Sequence, residues 1–70
     1  MSDWPSTKSG KVFKALIGIG WEIKRTHGSH ILLERDGWSN YVWAFHSNEE
    51  IGPRILARIA KKTGLSPTDL

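Results

Sequence analysis

Cysteine is missing from this chain of 70 residues. No disulfide framework can staple it, and no thiolate can ligate a metal. A small chain without cross-links is expected inside the cell, in the cytoplasm. Long apolar runs are missing too. The longest uncharged stretch, "GWSNYVWAFHSN", is too short and too polar to span a bilayer, so no membrane partner is expected. The opening "MSDWPSTKSGK" holds no apolar region of the signal-peptide kind. Acidic residues are scarce where basic ones collect: residues 54 to 62 carry Arg54, Arg58, Lys61 and Lys62 with no Asp or Glu among them. Internal repeats, low-complexity tracts and linkers are also lacking.

What is present fits one small domain covering residues 1–70, with 1–7 as a flexible leading segment. Hydrophobic residues make up 39% of the chain, enough for one core. Four Trp, two Phe and one Tyr are therefore core candidates first. The net charge of +3 permits a nucleic-acid partner without demanding one. Its distribution says more. Lys8, Lys11 and Lys14 mark the N-terminal part, while Glu34, Asp36, Glu49 and Glu50 fall in expected turns.

"SGKVFKALIGIG" predicts a helix with Val12, Phe13, Leu16 and Ile17 on its apolar face. Ser9 is its expected N-cap, and Gly20 the glycine just past its end. "WEIKRT" alternates, with Trp21, Ile23 and Arg25 on one side and Glu22, Lys24 and Thr26 on the other, and reads as a strand. "HGS" is a turn and "HILLER" a second strand. After "DGWSN", "YVWAFH" is a third strand, with Tyr41, Trp43 and Phe45 on one face expected to be at least partly buried. Short turns make the three strands an antiparallel meander. A second helix lies in "NEEIGPRILARIAKKTG", with Pro53 at its first position, Ile55, Leu56, Ile59 and Ala60 as its apolar stripe, and Gly64 at its end. "LSPTDL" adds a further turn, with Ser66 as cap. The order is α-β-β-β-α, an α+β domain. Placing both helices on one face of the three-stranded antiparallel sheet buries both stripes.

Three histidines are the candidates for chemistry. His30 opens the second strand behind Gly28-Ser29. One reading makes it a residue capping a strand end. The other makes it an acid/base catalyst beside a glycine turn whose amides can approach a phosphate. His27 is a second acid/base or an exposed turn residue. His46 is a residue at the core edge bonded to backbone, or it faces the site. His27, His30 and His46 include a metal-type spacing, but without Cys or a neighbouring carboxylate no metal is expected. Lys24 and Arg25 flank the hairpin, and alternation lets only one of them share a face with His30. Ser29 either serves the turn or binds phosphate. Arg54, Arg58, Lys61 and Lys62 form a basic stripe, which is either a solvated face or a phosphate track. Trp38, Tyr41 and Trp43 pack in the core or stack on bases. Strand two carries aliphatics at both parities, so periodicity leaves the direction of His30 open.

Four stretches resemble one family: "SGKVFKALIGIGWEIKR"; "GSH" followed by aliphatics at 28–33; "AFH" at 44–46; and "IGPRILARIAKKTGLSPTDL". In order and spacing they are similar to the HicA-type toxins, the YcfA-like mRNA interferases, from about Ser9 to Leu70. The resemblance implies a fold like a double-stranded-RNA-binding domain. It implies an endoribonuclease of a type II toxin-antitoxin system, with mRNA as substrate, a HicB-type antitoxin as partner and no cofactor. It places the essential histidine at His30. Lys24, Arg25, Gly28, Ser29, Arg54, Arg58, Lys61 and Lys62 are then the residues expected to touch RNA. The chain departs from the family at Val42-Trp43-Ala44, where many members carry a proline, and at His27, where other polar residues are common. A non-catalytic RNA-binding module of the same fold, or a protein-interaction domain, are the rival readings.

Overall fold

The computed structural model describes residues 4–46 and 48–70. Its elements run β1 (Thr7–Lys8), α1 (Ser9–Gly18), β2 (Glu22–His27), β3 (His30–Glu34), β4 (Tyr41–Trp43), β5 (Glu50–Ile51) and α2 (Pro53–Thr63), then a short 3-10 turn at Pro67–Asp69. The expected α-β-β-β-α order is present. β2, β3 and β4 form an antiparallel sheet in that spatial order. β1 and β5 add a two-residue ladder, Thr7 opposite Ile51 and Lys8 opposite Glu50. Two residues are too few for an alternating pattern to register, so nothing in the residue order signals that ladder. The leading segment expected to be flexible begins with residues 1–3, outside the described residues. Trp4 packs against the core and Thr7 lies in the ladder.

Both helices serve one face of the main sheet. Val12 and Leu16 of α1 and Leu56 and Ile59 of α2 are buried in one cluster with Leu33 and Trp43. Phe13 leans on Trp43 with ring centroids 5.7 Å apart. The α1 stripe centres on Val12, Leu16 and the partly buried Ile19, so Ile17 is left half exposed. Ile55, expected inside, is likewise half exposed.

The helix ends follow local chemistry. Gly20 has φ 115°. Its N–H donates to the Ile17 carbonyl at 3.1 Å, and the Trp21 N–H to that of Leu16 at 3.1 Å. These two bonds are the paired closure of a left-handed glycine cap, and they deliver Trp21 into the core at the start of β2. Its indole N–H donates to the Thr63 carbonyl at 3.0 Å, which ties the strand entry to the end of α2. Gly64 closes α2 with φ 77°, and a Cβ there would sit 2.8 Å from the Trp38 ring. Ser66 stands at the cap of the final turn as expected, and its N–H donates to the Asp69 carboxylate at 2.7 Å.

Ser9 is not an N-cap. It is the first residue of α1, and Lys8 occupies the cap position without a side-chain bond. The buried Ser9 hydroxyl instead donates to the His46 carbonyl, and its N–H to the Glu49 carbonyl at 2.8 Å. This anchorage bends the chain after Trp43. The third strand is accordingly shorter than the expected 41–46, and the Glu49 N–H donates to the His46 carbonyl at 3.0 Å.

Candidate active site on the uncovered sheet face

A two-residue turn joins β2 to β3. Gly28 has φ 60° and Ser29 a negative φ, the combination that fits a right-twisted hairpin with glycine at its first central position. The turn makes His27 and His30 direct cross-strand partners. Strand alternation fixes their direction. Ile31 and Leu33 pair with Trp43 and Tyr41 on the helix-covered face, so His30, Leu32 and Glu34 point the other way, with Val42 beside Leu32. Among the described residues no helix covers that side: Val42 is 52% exposed, and His27 and His30 are both exposed. Among the described residues, neither imidazole has a hydrogen-bond or ion-pair partner. His30 is thus neither a core residue nor a cap.

The alternation expected along β2 breaks between Ile23 and Arg25. Ile23 lies opposite Leu33, yet Arg25 lies opposite Leu32, so Lys24 is an extra residue in a bulge. Arg25 therefore shares the face of His27 and His30. Lys24 reaches Glu34 on that same face, with Nζ and the carboxylate 3.9 Å apart. The expectation that only one of the two cations joins His30 is corrected: the bulge gives it both. The Lys24–Glu34 pair is about half exposed on each side, so it steers more than it stabilises. Arg25 has no ion pair among the described residues.

Glycine at position 28 is needed for its φ. No atom lies within 4 Å of where a Cβ would stand, so the turn is open to a ligand. Ser29 is exposed at its tip. At the opposite end of the hairpin, beyond Glu34, a polar cleft of about 490 Å³ is lined by Glu22, Lys24, Arg35, Asp36 and Asn40.

The other residues expected to touch RNA stand elsewhere. Arg54, Arg58, Lys61 and Lys62 are exposed on α2, in the layer behind the sheet. Arg58, Lys61 and Lys62 rim an apolar groove of about 500 Å³ floored by Tyr41, Phe45, Ile55 and Ile59. Tyr41, Trp43 and Phe45 are partly or fully buried, as the strand parity implies. Burial raises the pKa of the Tyr41 phenol. Trp38 is 40% exposed, set edge-on to Trp21 at 6.1 Å with Arg35 over its ring at 5.4 Å. Its position is packing against the end of α2. His46 is not at a core edge: its side chain is exposed, and only its backbone is bonded. Among the described residues no three His, Asp or Glu side chains gather as a metal site. No helix there is long and apolar enough to cross a membrane.

What this face offers chemically is two imidazoles, a free guanidinium and a glycine turn on one open surface. Sequence reasoning found His30 and the cations but missed the bulge, which only cross-strand register reveals. A family model described as the HicA toxin of bacterial toxin-antitoxin systems matches residues 9–65. No curated protein and no solved structure gives a significant match.

Proposed function

This chain belongs to the HicA family, nuclease-type toxins of bacterial toxin-antitoxin systems, and we propose that it cuts mRNA in the cytoplasm by metal-independent acid/base catalysis at His30. The observation that carries the reading is the placement of His30. It stands exposed on the uncovered sheet face, behind an open glycine turn, with Arg25 and Lys24 on the same face. The RNA supplies its own nucleophile, the 2′-hydroxyl, so the protein needs only proton carriers and positive charge at phosphorus. Imidazoles serve the first need near neutral pH, and Arg25 with the turn amides of Gly28 and Ser29 serves the second.

The α2 cations, Arg54, Arg58, Lys61 and Lys62, then hold phosphates away from the cut. A HicB-type antitoxin is the partner, and residues 1–70 act as one domain. The test is RNA cleavage in EDTA by the wild type and by a His30→Ala variant of matched thermal stability. Cleavage should fall by a factor of about 10² to 10⁴ in the variant. RNA left whole by the wild type, or cut equally by both proteins, overturns the reading and leaves a non-catalytic RNA-binding module in its place.

A further inference from the structure

We propose that His27 is the second catalytic residue, the general acid that protonates the leaving 5′-oxygen while His30 acts as the base. The inference rests on the ribonuclease reading above and adds to it the missing half of the proton transfer. A single histidine can take the 2′-hydroxyl proton, but the departing alkoxide also needs one, on the opposite side of phosphorus. The structure supplies a candidate at one position. His27 is the direct cross-strand partner of His30. Side chains so paired share a face, with Cβ atoms about 4.5–5.5 Å apart, close enough for two rings to address one phosphate from two sides. Both imidazoles are exposed and neither has a protein partner among the described residues.

The step balances. The 2′-oxygen attacks phosphorus, forming the O2′–P bond, and its proton passes to His30. The P–O5′ bond breaks, and the 5′-oxygen takes a proton from His27. The products are a 2′,3′-cyclic phosphate and a 5′-hydroxyl, and the two histidines exchange protonation states. Arg25 lies two residues before His27 on the same face of the strand, about 6.6 Å along it, and can meet the non-bridging oxygens. The charged groups facing the pair are Arg25, Lys24, Glu34 and Glu22. β4 offers only Val42 to this face, and the helices pack on the other.

A leaving group that needs no proton separates this role from a structural one. The probe is a short RNA with sulfur replacing one bridging 5′-oxygen, because a thiolate departs unprotonated. With ordinary RNA, His27→Gln should slow cleavage by about 10² or more and remove the alkaline limb of the pH–rate profile. With the sulfur-bridged RNA the same variant should cut within about threefold of the wild type, while His30→Gln stays slow on both. The ratio of the two substrates is read on one protein sample, so a loss of folded fraction cancels. Wild-type rates for His27→Gln on ordinary RNA, or an equal loss on both substrates, overturn the proposal. A wild type that leaves RNA whole overturns the ribonuclease reading itself. An active wild type with an unaffected His27 variant overturns only the role of His27.

Discussion

Deleting Lys24 should leave both the fold and the site intact. On either side of the bulge the pairs are Glu22–Glu34 and Ile23–Leu33, then Arg25–Leu32, Thr26–Ile31 and His27–His30. Removing Lys24 joins these into one regular ladder and costs no pair. What disappears is a half-exposed ion pair with Glu34, worth at most about 1 kcal/mol. For a domain of this size that is a fall in Tm of no more than roughly 4–8 °C. A strand that alternated without a bulge would behave otherwise. There, a one-residue deletion would turn Arg25, Thr26 and His27 to the opposite face from their present one relative to Trp21 and Ile23. Thermal unfolding by circular dichroism, beside RNA cleavage, reads both consequences. A near-native Tm with His30-dependent cleavage is the expected result. Global unfolding, or a folded protein that has lost cleavage while Lys24→Ala retains it, would refute the bulge argument.

Further expectations concern charge, packing and pH. Arg25→Ala should reduce cleavage more than Lys24→Ala, since Lys24 is already offset by Glu34 while Arg25 is unpaired among the described residues; single-turnover rates at matched protein concentration decide it. Replacing Arg58 and Lys62 together by Ala should weaken RNA binding, with the rate at saturation unchanged. The slope of log affinity against log salt should flatten by about 0.7 for each phosphate no longer neutralised. A fall in the saturating rate would place α2 at the reacting phosphate. Gly64→Ala combines a left-handed backbone with a Cβ 2.8 Å from the Trp38 ring, so it should cost about 2–4 kcal/mol. Gly28→Ala meets nothing within 4 Å and should cost only the backbone strain, about 1 kcal/mol; equal losses in urea titrations would remove the clash from the account. The Tyr41 phenol has its pKa raised by burial, so the folded state holds that proton where the unfolded chain loses it. Its contribution is whole below the ordinary value of 10.0 and is lost as pH rises past it. Tyr41→Phe should therefore show a smaller drop in urea midpoint between about pH 8 and pH 11 than the wild type.

The fold was largely legible because each main element carries its own local signal. Pro53 and Gly64 bracket α2, Gly20 closes α1 in the left-handed conformation it alone adopts readily, and Gly28-Ser29 sets a two-residue hairpin. What stayed hidden is whatever depends on a partner distant in sequence. Ser9 has the chemistry of an N-cap, yet its hydroxyl goes to the His46 carbonyl, a bond between residues 37 apart. The β1–β5 ladder joins two-residue strands that are far apart in the chain, Thr7–Lys8 and Glu50–Ile51.

The site shows the same division at finer grain. Residue type and the glycine turn single out His30, but its direction is undecided by aliphatics at both parities of β3. Tertiary packing settles it, because Leu33 and Trp43 take the helix face and leave His30 on the open one. The bulge at Lys24 then acts on the rest. Read by alternation, Arg25 follows Trp21 and Ile23, and Trp21 is buried in the core. One extra residue reverses that parity and carries Arg25 and His27 onto the face of His30. The hairpin thus keeps Trp21 anchored to Thr63 at one end while presenting a basic, histidine-paired surface at the other. With Lys24 in the strand, regular alternation could not satisfy both demands; the bulge absorbs that extra residue, so Trp21 keeps its place in the core and His27 still meets His30.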